Sequence, residues 1–555
     1  MASNREIIRQ LSLFAELLVL HEKDKRLAGI LSAAAYRLRN VSEELVLLDK
    51  RALAQIVRIE VVKLIDELRK TGTIAALDEL IQLTPAGLFD MMRIRGLGGK
   101  KLHDLWHKAK IDNVQDLLKI CKARKLNVPG FGIKTQQNIV AAIEALNENR
   151  SHFHYASVAD AADSLVWALR SHFKTELISL CGDIRRQATT VECIEIVAAV
   201  PPAKFTAAAL KRLLLIGKKD RYVTHAHTLD EVPVLIYHTT DKEYTYELFT
   251  KTGCQAHVEK ILSRVVRPSK FTSEQAIYNT AGMHFIVPEM RENLAEWKFK
   301  GIAKDLLTVN DITGVVHNHT DWSDGVDSLQ SFVMACMKKG YSYCIISDHS
   351  KNAFYAGGLK EDKVLQQLAA IDALNKKMAP FRIFKSIECD ILVSGELDYN
   401  AALLSKFDLV IASVHQQLKM DEEKATRRLI KAIENPFTTI LGHMTGRQLL
   451  IRPGYSLDFK KVIDACAANH VVIEVNANPY RLDMDWSHIP YALEKGVMIS
   501  INPDAHSIAE IDNIKWGVAA ARKGGLTKAM TWNAMQLKDI ERWLRKSKRK
   551  QLVEV

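Results

Sequence analysis

The feature that most constrains the fold is a pattern repeated through residues 312–555. Each repeat has a short apolar run, a polar residue at the end of that run, and an amphipathic helix. The seven runs are ITGVVHNH, YCIISDH, FKSIECD, DLVIASVH, TTILGHM, VVIEVNAN and VMISINPDAH. Strands that alternate with helices indicate an α/β architecture with parallel strands, either an open sheet or a closed barrel. Such folds place their sites at the carboxyl ends of the strands, which predicts where a site lies here.

The residues at these strand ends are of the types that bind metal ions. They are His317, His319, Asp324, Asp348, His349, Glu388, Asp390, His415, His443, Glu474, Asp504 and His506. On regular strands the pairs two residues apart, 317 with 319 and 504 with 506, would share a face. One such histidine would be structural more often than a ligand, but seven strand ends carrying these residues indicate metal binding. Imidazole and carboxylate suit Zn²⁺, Mn²⁺ or Fe²⁺, and so many candidates predict two or three ions.

Other polar residues near the strand ends have candidate roles in the same pocket. Glu474 and Asn476 would point into it if their strand is regular, and we interpret them as orienting ligands or substrate. Arg447 and Arg481 follow strand ends and could bind DNA phosphates, with a surface salt bridge as the alternative.

Residues 312–548 resemble a polymerase-and-histidinol-phosphatase (PHP) domain. The resemblance depends on HNHTDWSDG, SDHS, AGGL, ASVHQ, EVNANPYRLD and DAHS, which are similar to PHP domains attached to bacterial family X DNA polymerases. It implies a distorted seven-stranded α/β barrel with a trinuclear metal site, and a Mn²⁺-dependent 3′–5′ exonuclease. The ligand pattern of that family corresponds to His317, His319, Asp324, His349, Glu388, His415, His443, Asp504 and His506.

Residues 1–150 show helical periodicity interrupted by two glycine turns, and each turn precedes a lysine and a helix. The first turn contains Gly96 and Gly98, followed by Lys100. The second contains Gly130 and Gly132, followed by Lys134. Both resemble helix-hairpin-helix motifs, whose backbone amides meet a DNA phosphate without reading its sequence. The alternative is a tight helix–helix corner.

A third hairpin of this kind, expected near residues 50–72, has Val57 and Arg58 where glycines would stand. We therefore expect that its contact with DNA is lost.

Residues 151–300 are similar to the palm and thumb of a family X polymerase, an α+β nucleotidyltransferase-like fold. CGDIRR, FTKTGCQAH and IYNTAGMHFIVPEMREN carry this similarity. The family has Asp-x-Asp where this chain has Cys193 and Glu195, and a third Asp where it has Pro233 and Val234. Thiols are poor ligands for the hard Mg²⁺ ion. We therefore expect a retained scaffold that lacks polymerase activity.

Composition agrees with a DNA-binding protein of several domains. The 555 residues carry 77 Lys and Arg against 65 Asp and Glu, a net charge of +12, which weakly favours nucleic acid as a partner. Eight cysteines without a C-x-x-C pair suggest a reducing compartment. No apolar run is long enough to span a membrane. We expect a cytoplasmic monomer with no membrane association.

The sequence thus predicts a multidomain enzyme with a helical DNA-binding region (1–150), a polymerase-like core (151–300) and a PHP phosphoesterase domain (312–555). The expected activity is 3′–5′ exonucleolytic hydrolysis of DNA in repair. Three alternatives stay open: a polymerase with an attached exonuclease, a DNA-end-binding scaffold with structural metals, and a phosphatase for small phosphoesters.

Overall fold

The computed structural model describes residues 4–38, 41, 44, 45, 47–94, 96–149, 151–266 and 270–554. The chain separates into two compact units, Met1–Arg150 and Ser151–Val555. Within the described residues, no helix combines the length and the apolar composition needed to cross a bilayer.

The first unit is helical, as predicted. Its helices are α1 (Asn4–Leu20), α2 (Lys25–Leu38), α3 (Lys50–Ile56), α4 (Ile59–Thr71), α5 (Ala75–Leu83), α6 (Ala86–Met92), α7 (Gly99–Ala109), α8 (Val114–Lys122) and α9 (Ile133–Asn149). Leucine and isoleucine at three- and four-residue spacing give each helix one apolar face, and these faces form a common core. The glycine pairs lie in the connections from α6 to α7 and from α8 to α9, so both predicted hairpins lie between consecutive helices.

The second unit begins with a mixed α/β region. Its strands are β1 (Phe153–His154), β2 (Ile178–Leu180), β3 (Thr190–Val191), β4 (Ile194–Ala198), β5 (Leu215–Lys219), β6 (Val223–His227) and β7 (Pro233–His238). Its helices are α10 (Tyr155–Phe173), α11 (Gly182–Arg185), α12 (Ala207–Leu210), α13 (Tyr244–Thr252), α14 (Gln255–Leu262) and α15 (Glu274–Thr280). Five strands form a sheet in the order β2-β4-β7-β6-β5, in which β2 pairs antiparallel with β4.

Alternating strands and helices continue to the end of the second unit. The strands are β8 (Gly314–Asn318), β9 (Tyr343–Ile346), β10 (Arg382–Lys385), β11 (Glu388–Asp390), β12 (Val410–Ser413), β13 (Thr438–Leu441), β14 (Val472–Asn476) and β15 (Ile499–Asn502). The helices are α16 (Leu329–Lys338), α17 (Glu361–Met378), α18 (Ala401–Leu404), α19 (Glu422–Ile433), α20 (Phe459–Asn469), α21 (Ile489–Glu494), α22 (Ile514–Lys523) and α23 (Leu537–Glu554). All paired strands here are parallel, as the alternation predicted.

The described strands of this region form two sheets, with orders β10-β9-β8 and β11-β12-β13-β14-β15. The run FKSIECD, predicted as one strand, is divided into β10 and β11 because its hydrogen bonds change partner, from β9 to β12. Single bridges, His349 with Glu388 and Asn318 with Ala505, connect the two sheets. The α/β class is confirmed, and the closed seven-stranded barrel stays a prediction.

Buried ion pairs attach the polymerase-like region to the C-terminal α/β region. Lys523, at the end of α22, is 1% exposed, and its Nζ lies 2.6 Å from Glu292 Oε1 and 2.8 Å from the carbonyl oxygen of Arg186. Arg522 donates from Nε to Glu289 Oε1 over 2.8 Å. Separating the partners of a buried ion pair is strongly destabilising, so these contacts fix how the two regions meet.

Candidate metal centre and phosphate-binding loops

The structure brings all nine residues of the resemblance-derived ligand set into one cluster. Four overlapping groups have potential ligand atoms within 4.8 Å of one another. The groups are His319, Asp324, His349 and His506; His317, His443 and Asp504; His317, His319 and Glu388; and His349, Glu388 and His415. The loops that follow the parallel strands supply most of them, which agrees with the expected position at the carboxyl ends of the strands.

Glu388, at the start of β11, lies at the centre of the cluster. Its Oε1 is 3.1 Å from His317 Nε2, 3.1 Å from His415 Nε2 and 2.9 Å from His443 Nε2. Its Oε2 is 2.8 Å from His349 Nδ1. The carboxylate is fully buried, so four imidazoles from four different strand ends converge on one desolvated anion.

A second group lies around Asp324, in the loop after β8. Its Oδ1 is 3.4 Å from His506 Nε2, 3.5 Å from His349 Nε2 and 3.9 Å from His319 Nδ1. His319 also reaches the other carboxylates, with Nε2 3.2 Å from Asp504 Oδ1. The two groups therefore share residues, an arrangement suited to ions held close together.

The prediction that regular strands place 317 with 319, and 504 with 506, on one face is wrong in its backbone geometry, although these residues do come together in the cluster. His317 has φ +63° and Asp504 has φ +51°, both in the left-handed region. The pairing of β8 with β9 shifts register between Val315 and Asn318, and β15 ends at Asn502, before Asp504. A left-handed conformation costs a non-glycine residue about 1–2 kcal/mol, so tertiary packing rather than strand alternation aims these side chains.

Two buried carboxylates hold imidazoles of the cluster by their outer nitrogens. Glu474 Oε2 lies 2.6 Å from His317 Nδ1, and Asp390 Oδ1 lies 2.5 Å from His415 Nδ1. A carboxylate on one ring nitrogen fixes the tautomer and turns the other nitrogen toward the cluster. This position agrees with the orienting role predicted for Glu474. Asn476 lies beside it, with Nδ2 3.0 Å from Asp504 Oδ2.

Asp348 has a supporting role that the strand-end pattern did not separate from ligand binding, although the resemblance-derived ligand set leaves it out. It is fully buried and accepts hydrogen bonds from the backbone N–H of Thr320 over 2.8 Å, from Ser323 Oγ over 2.5 Å and from Gln367 Nε2 over 2.6 Å. These bonds fix the loop that carries Asp324. The pattern SDH gives no signal for this difference between Asp348 and His349, because both follow the same strand.

The donor set fits divalent cations. Buried atoms of the cluster that lack a hydrogen-bond partner include both ring nitrogens of His319, His317 Nε2 and Glu388 Oε2. A buried polar atom without a partner is costly, and a cation among such atoms would satisfy them. Mixed imidazole and carboxylate donors suit Mn²⁺, Zn²⁺ or Fe²⁺.

The electrostatics of the cluster point the same way. Burial and the neighbouring imidazoles of His506 and His349 lower the pKa of His319 to about 3, so this ring stays neutral. Burial alone would raise the pKa of Glu388, but the imidazoles of His415 and its neighbours hold it well below its ordinary value. Burial would lower the pKa of His415, yet Glu388 and Asp390 raise it to about 10. The ionised carboxylates of the cluster are thus stabilised by positive charge next to them, which either protonated imidazoles or metal ions can supply.

The two arginines predicted as phosphate ligands differ in their surroundings. Arg447 donates to the carbonyl oxygens of Arg481 and Leu482 and to Asp485, with Nη1 2.6 Å from Oδ2, and so ties down a loop. Arg481 has Nε 3.6 Å from Asp504 Oδ2, and its side chain is 22% exposed. Arg481 therefore lies at the edge of the cluster, where a phosphate could reach it, and DNA binding by either arginine stays a prediction.

In each of the two glycine turns of the first unit, the first glycine has a positive φ and the second has open space around it. Gly96 and Gly130 have φ +89° and +87°, which only glycine adopts readily. Gly98 and Gly132 have ordinary φ and open space where a Cβ would stand. Gln136 fixes the second turn, with Nε2 donating to the carbonyl oxygens of residues 126 and 131.

Lys100 and Lys134 are exposed beside these turns. In the turn between α3 and α4, by contrast, Val57 and Arg58 have negative φ of −131° and −66°. The two glycine turns leave room for a phosphate beside an exposed lysine. DNA binding at these turns stays a prediction.

In the polymerase-like region a carboxylate of β4 lies against the start of α11. Glu195 on β4 packs against Gly182, and its Oε2 accepts the backbone N–H of Asp183 over 3.2 Å. Tyr237 donates to the other oxygen over 3.0 Å, and Asp183 pairs with Arg186. Burial raises the pKa of Glu195. The backbone N–H of Asp183 is thus already bonded to a carboxylate of the same chain.

Comparison with known proteins agrees with the resemblance. The chain is 32% identical over 501 residues, 86% of this chain, to the DNA polymerase/3′-5′ exonuclease PolX of Bacillus subtilis (strain 168), of which it covers 88%. It is 27% identical over 251 residues, 42% of this chain, to a protein of Thermoanaerobacter sp. (strain X514) named as a probable phosphatase, of which it covers 95%.

A third relative, of Caldanaerobacter subterraneus, is also named as a probable phosphatase and is 28% identical over 185 residues, 30% of this chain and 66% of its own length. These phosphatase matches cover the C-terminal part. No protein-family model matches the chain. With one-third identity along most of both chains, this protein belongs to the PolX family of DNA polymerases/3′-5′ exonucleases.

Proposed function

We propose that the C-terminal α/β region is a metal-dependent DNA phosphodiesterase that removes nucleotides from 3′ ends during repair. The observation that carries the proposal is the gathering of nine buried or half-buried ligand residues, Glu388 and Asp324 among them, into one cluster. In this proposal they hold two or three divalent ions, with Mn²⁺ as the activating ion. Such ions supply the Lewis-acid charge that phosphoester hydrolysis needs.

The chain's own residues have distinct tasks in this proposal. Glu474 and Asp390 keep His317 and His415 in the tautomer that turns a free nitrogen toward the cluster. Arg481, at the exposed edge, binds a phosphate oxygen of the strand. Full burial of the inner ligands excludes water from them, which strengthens every charge interaction inside.

DNA would be held by the hairpin turns of the first unit. The exposed glycines Gly98 and Gly132 leave room for a phosphate to approach backbone amides, with Lys100 and Lys134 adding charge. Such contacts are made to the backbone, so we expect no sequence preference.

We also propose that the polymerase-like region no longer synthesises DNA. Cys193 and Glu195 stand at the metal-binding pair, and Pro233 and Val234 at the third position. The internal hydrogen bond from Asp183 to Glu195 uses the amide that would otherwise contact a phosphate. The region would then serve as a scaffold for the C-terminal domain. The competing reading, a polymerase with an attached exonuclease, draws support from the name of the Bacillus relative.

A second candidate function is hydrolysis of a small phosphoester, which the relatives named as probable phosphatases favour. The glycine hairpins of the first unit argue for DNA instead, because a small substrate needs no backbone-binding module.

The decisive experiment incubates a labelled primer–template with Mn²⁺, with and without nucleotides. We expect shortening in both cases. His319→Ala should slow it by about 10³-fold or more, since metal charge stabilisation is worth several kcal/mol. Glu195→Ala should degrade DNA as the wild type does. Extension by wild-type protein that disappears in Glu195→Ala would establish polymerase activity and overturn the scaffold reading.

A further inference from the structure

A basic cavity lies beside the metal centre, on the side of the loops that follow β11 and β12. Its volume is about 470 Å³. Five cationic side chains line it, and no carboxylate does so among the described residues. The five are Lys419, Lys424, Arg427, Arg428 and Lys431. We refer to this feature as the basic pocket.

The floor of the basic pocket is joined to the metal centre through Arg428, on α19. Its Nε donates to the carbonyl oxygen of Leu392 over 2.8 Å, and its Nη1 donates to that of Gln416 over 3.1 Å. Gln416 directly follows the candidate ligand His415. Gln416 in turn donates from Nε2 to the carbonyl oxygen of Asn352, in the loop after His349, over 2.6 Å. The pocket therefore adjoins the cluster through a hydrogen-bonded set of loops.

Arg428 is a buried charge without a counter-ion. It is 5% exposed, and its partners are backbone carbonyl oxygens and the sulfur of Met420. No carboxylate lies within ion-pairing distance of it in the described part of the chain. Carbonyl dipoles satisfy its hydrogen bonds, and the carboxylate of Asp390 acts on it only from beyond ion-pairing distance, so the five cations give the pocket a positive potential that attracts an anion.

The cations around the rim are available to a ligand. Lys419 is exposed and has no ion-pair partner among the described residues. Lys424, Arg427 and Lys431 pair with exposed carboxylates at 2.9, 3.4 and 3.3 Å. Exposed pairs of this kind are worth about 0–1 kcal/mol, so an anion of higher charge density can displace them.

We propose that the basic pocket binds backbone phosphates of the DNA strand next to the one hydrolysed at the metal centre. This inference rests on the proposed DNA hydrolysis. A strand carries a phosphate on every nucleotide. A strand with one phosphate at the metal ions therefore has others within reach of a pocket whose lining includes Gln417, two residues after His415. A small phosphoester has no second phosphate to place there. The pocket thus explains how the site engages a polymer.

The test neutralises two exposed rim cations in the full-length protein. Lys419→Gln with Arg427→Gln should weaken binding of a labelled single-stranded oligonucleotide, measured by fluorescence anisotropy in EDTA. Two lost phosphate contacts should lower affinity at least about tenfold in 50 mM salt and reduce the salt slope by about 1.4.

The matched control is Lys376→Gln with Lys377→Gln. It removes the same charge from the carboxyl end of α17, which leads into the amino end of β10, whereas the basic pocket lies beside the carboxyl ends of β11 and β12. We expect the control to bind as the wild type does. Equal losses in both variants, or no loss in the first, would overturn the proposal.

A second arm separates strand binding from chemistry. Hydrolysis of thymidine 5′-p-nitrophenyl phosphate, which offers no neighbouring phosphate, is compared with degradation of the oligonucleotide in Mn²⁺. A larger loss for the oligonucleotide supports the pocket, and the same loss for both overturns it. The anisotropy arm needs no catalysis. If the rim variant binds the oligonucleotide more weakly while the wild type never degrades DNA, the proposed function is refuted and the proposal for the basic pocket still holds.

Discussion

Replacing Glu474 by Gln changes its charge while keeping its shape, and so isolates the role of this carboxylate. Its Oε2 accepts from His317 Nδ1 over 2.6 Å and from Asn502 Nδ2 over 2.7 Å. Its Oε1 accepts from the backbone N–H of His443 over 3.0 Å and from Asn476 Nδ2 over 3.1 Å. All four partners donate when His317 carries its proton on Nδ1, which leaves Nε2 free to bind metal.

A glutamine cannot meet both demands, because one side of its amide is a donor. If its NH₂ faces the N–H of His443 and the amide of Asn476, donors oppose donors, at about 1–3 kcal/mol for each group left unsatisfied. If the NH₂ faces His317, the proton of that ring moves to Nε2 and blocks the nitrogen meant for metal. Loss of such an orienting partner weakens metal binding or activity 10- to 100-fold, or about 1.4–2.8 kcal/mol.

The assay is Mn²⁺ binding by calorimetry, together with the Mn²⁺ dependence of DNA degradation. We expect Glu474→Gln to raise both the dissociation constant and the half-activating concentration at least tenfold. The matched control is Glu494→Gln, which removes an exposed carboxylate that pairs with Lys298 at 3.1 Å, and it should change neither value. Mn²⁺ affinity of Glu474→Gln within twofold of the control would refute the argument that this carboxylate orients a ligand.

Two further predictions concern the other regions. Gly132 has ordinary φ and open space where a Cβ would stand, so Gly132→Val should leave the melting temperature unchanged. The same substitution should weaken DNA binding equally for unrelated sequences, because the contact is made to the DNA backbone. Weaker binding of one sequence alone would contradict the helix-hairpin-helix interpretation. Burial raises the folded-state pKa of Glu195 above its ordinary 4.5. The protonated side chain therefore contributes its full stability to the fold below pH 4.5, and this contribution is lost as the pH rises through the folded-state pKa. Urea unfolding should therefore show Glu195→Gln gaining stability relative to wild type between pH 4.5 and 7, and a constant difference would show that the carboxylate is not the titrating group.

Local sequence pattern was sufficient for much of this fold. The apolar runs followed by polar residues predicted parallel strands with their site at the carboxyl ends, because strand period and parallel connectivity are local properties that survive packing. The helical spacing of residues 1–150 likewise predicted the first unit. The nine residues of the family pattern converge because most of them follow strands, and parallel strands end at one edge.

The tertiary structure alone decided how those residues face one another. His317 and Asp504 reach the cluster through left-handed backbone conformations, which the hydrophobic periodicity of the sequence does not predict. The sequence also could not tell that Arg447 ties down a loop while Arg481 lies at the edge of the cluster, since both simply follow strands. Nor could it place Arg428, a residue of an ordinary amphipathic helix, at the floor of a basic pocket. Which donor meets which acceptor depends on contacts between residues far apart in the chain, and only the folded packing fixes those.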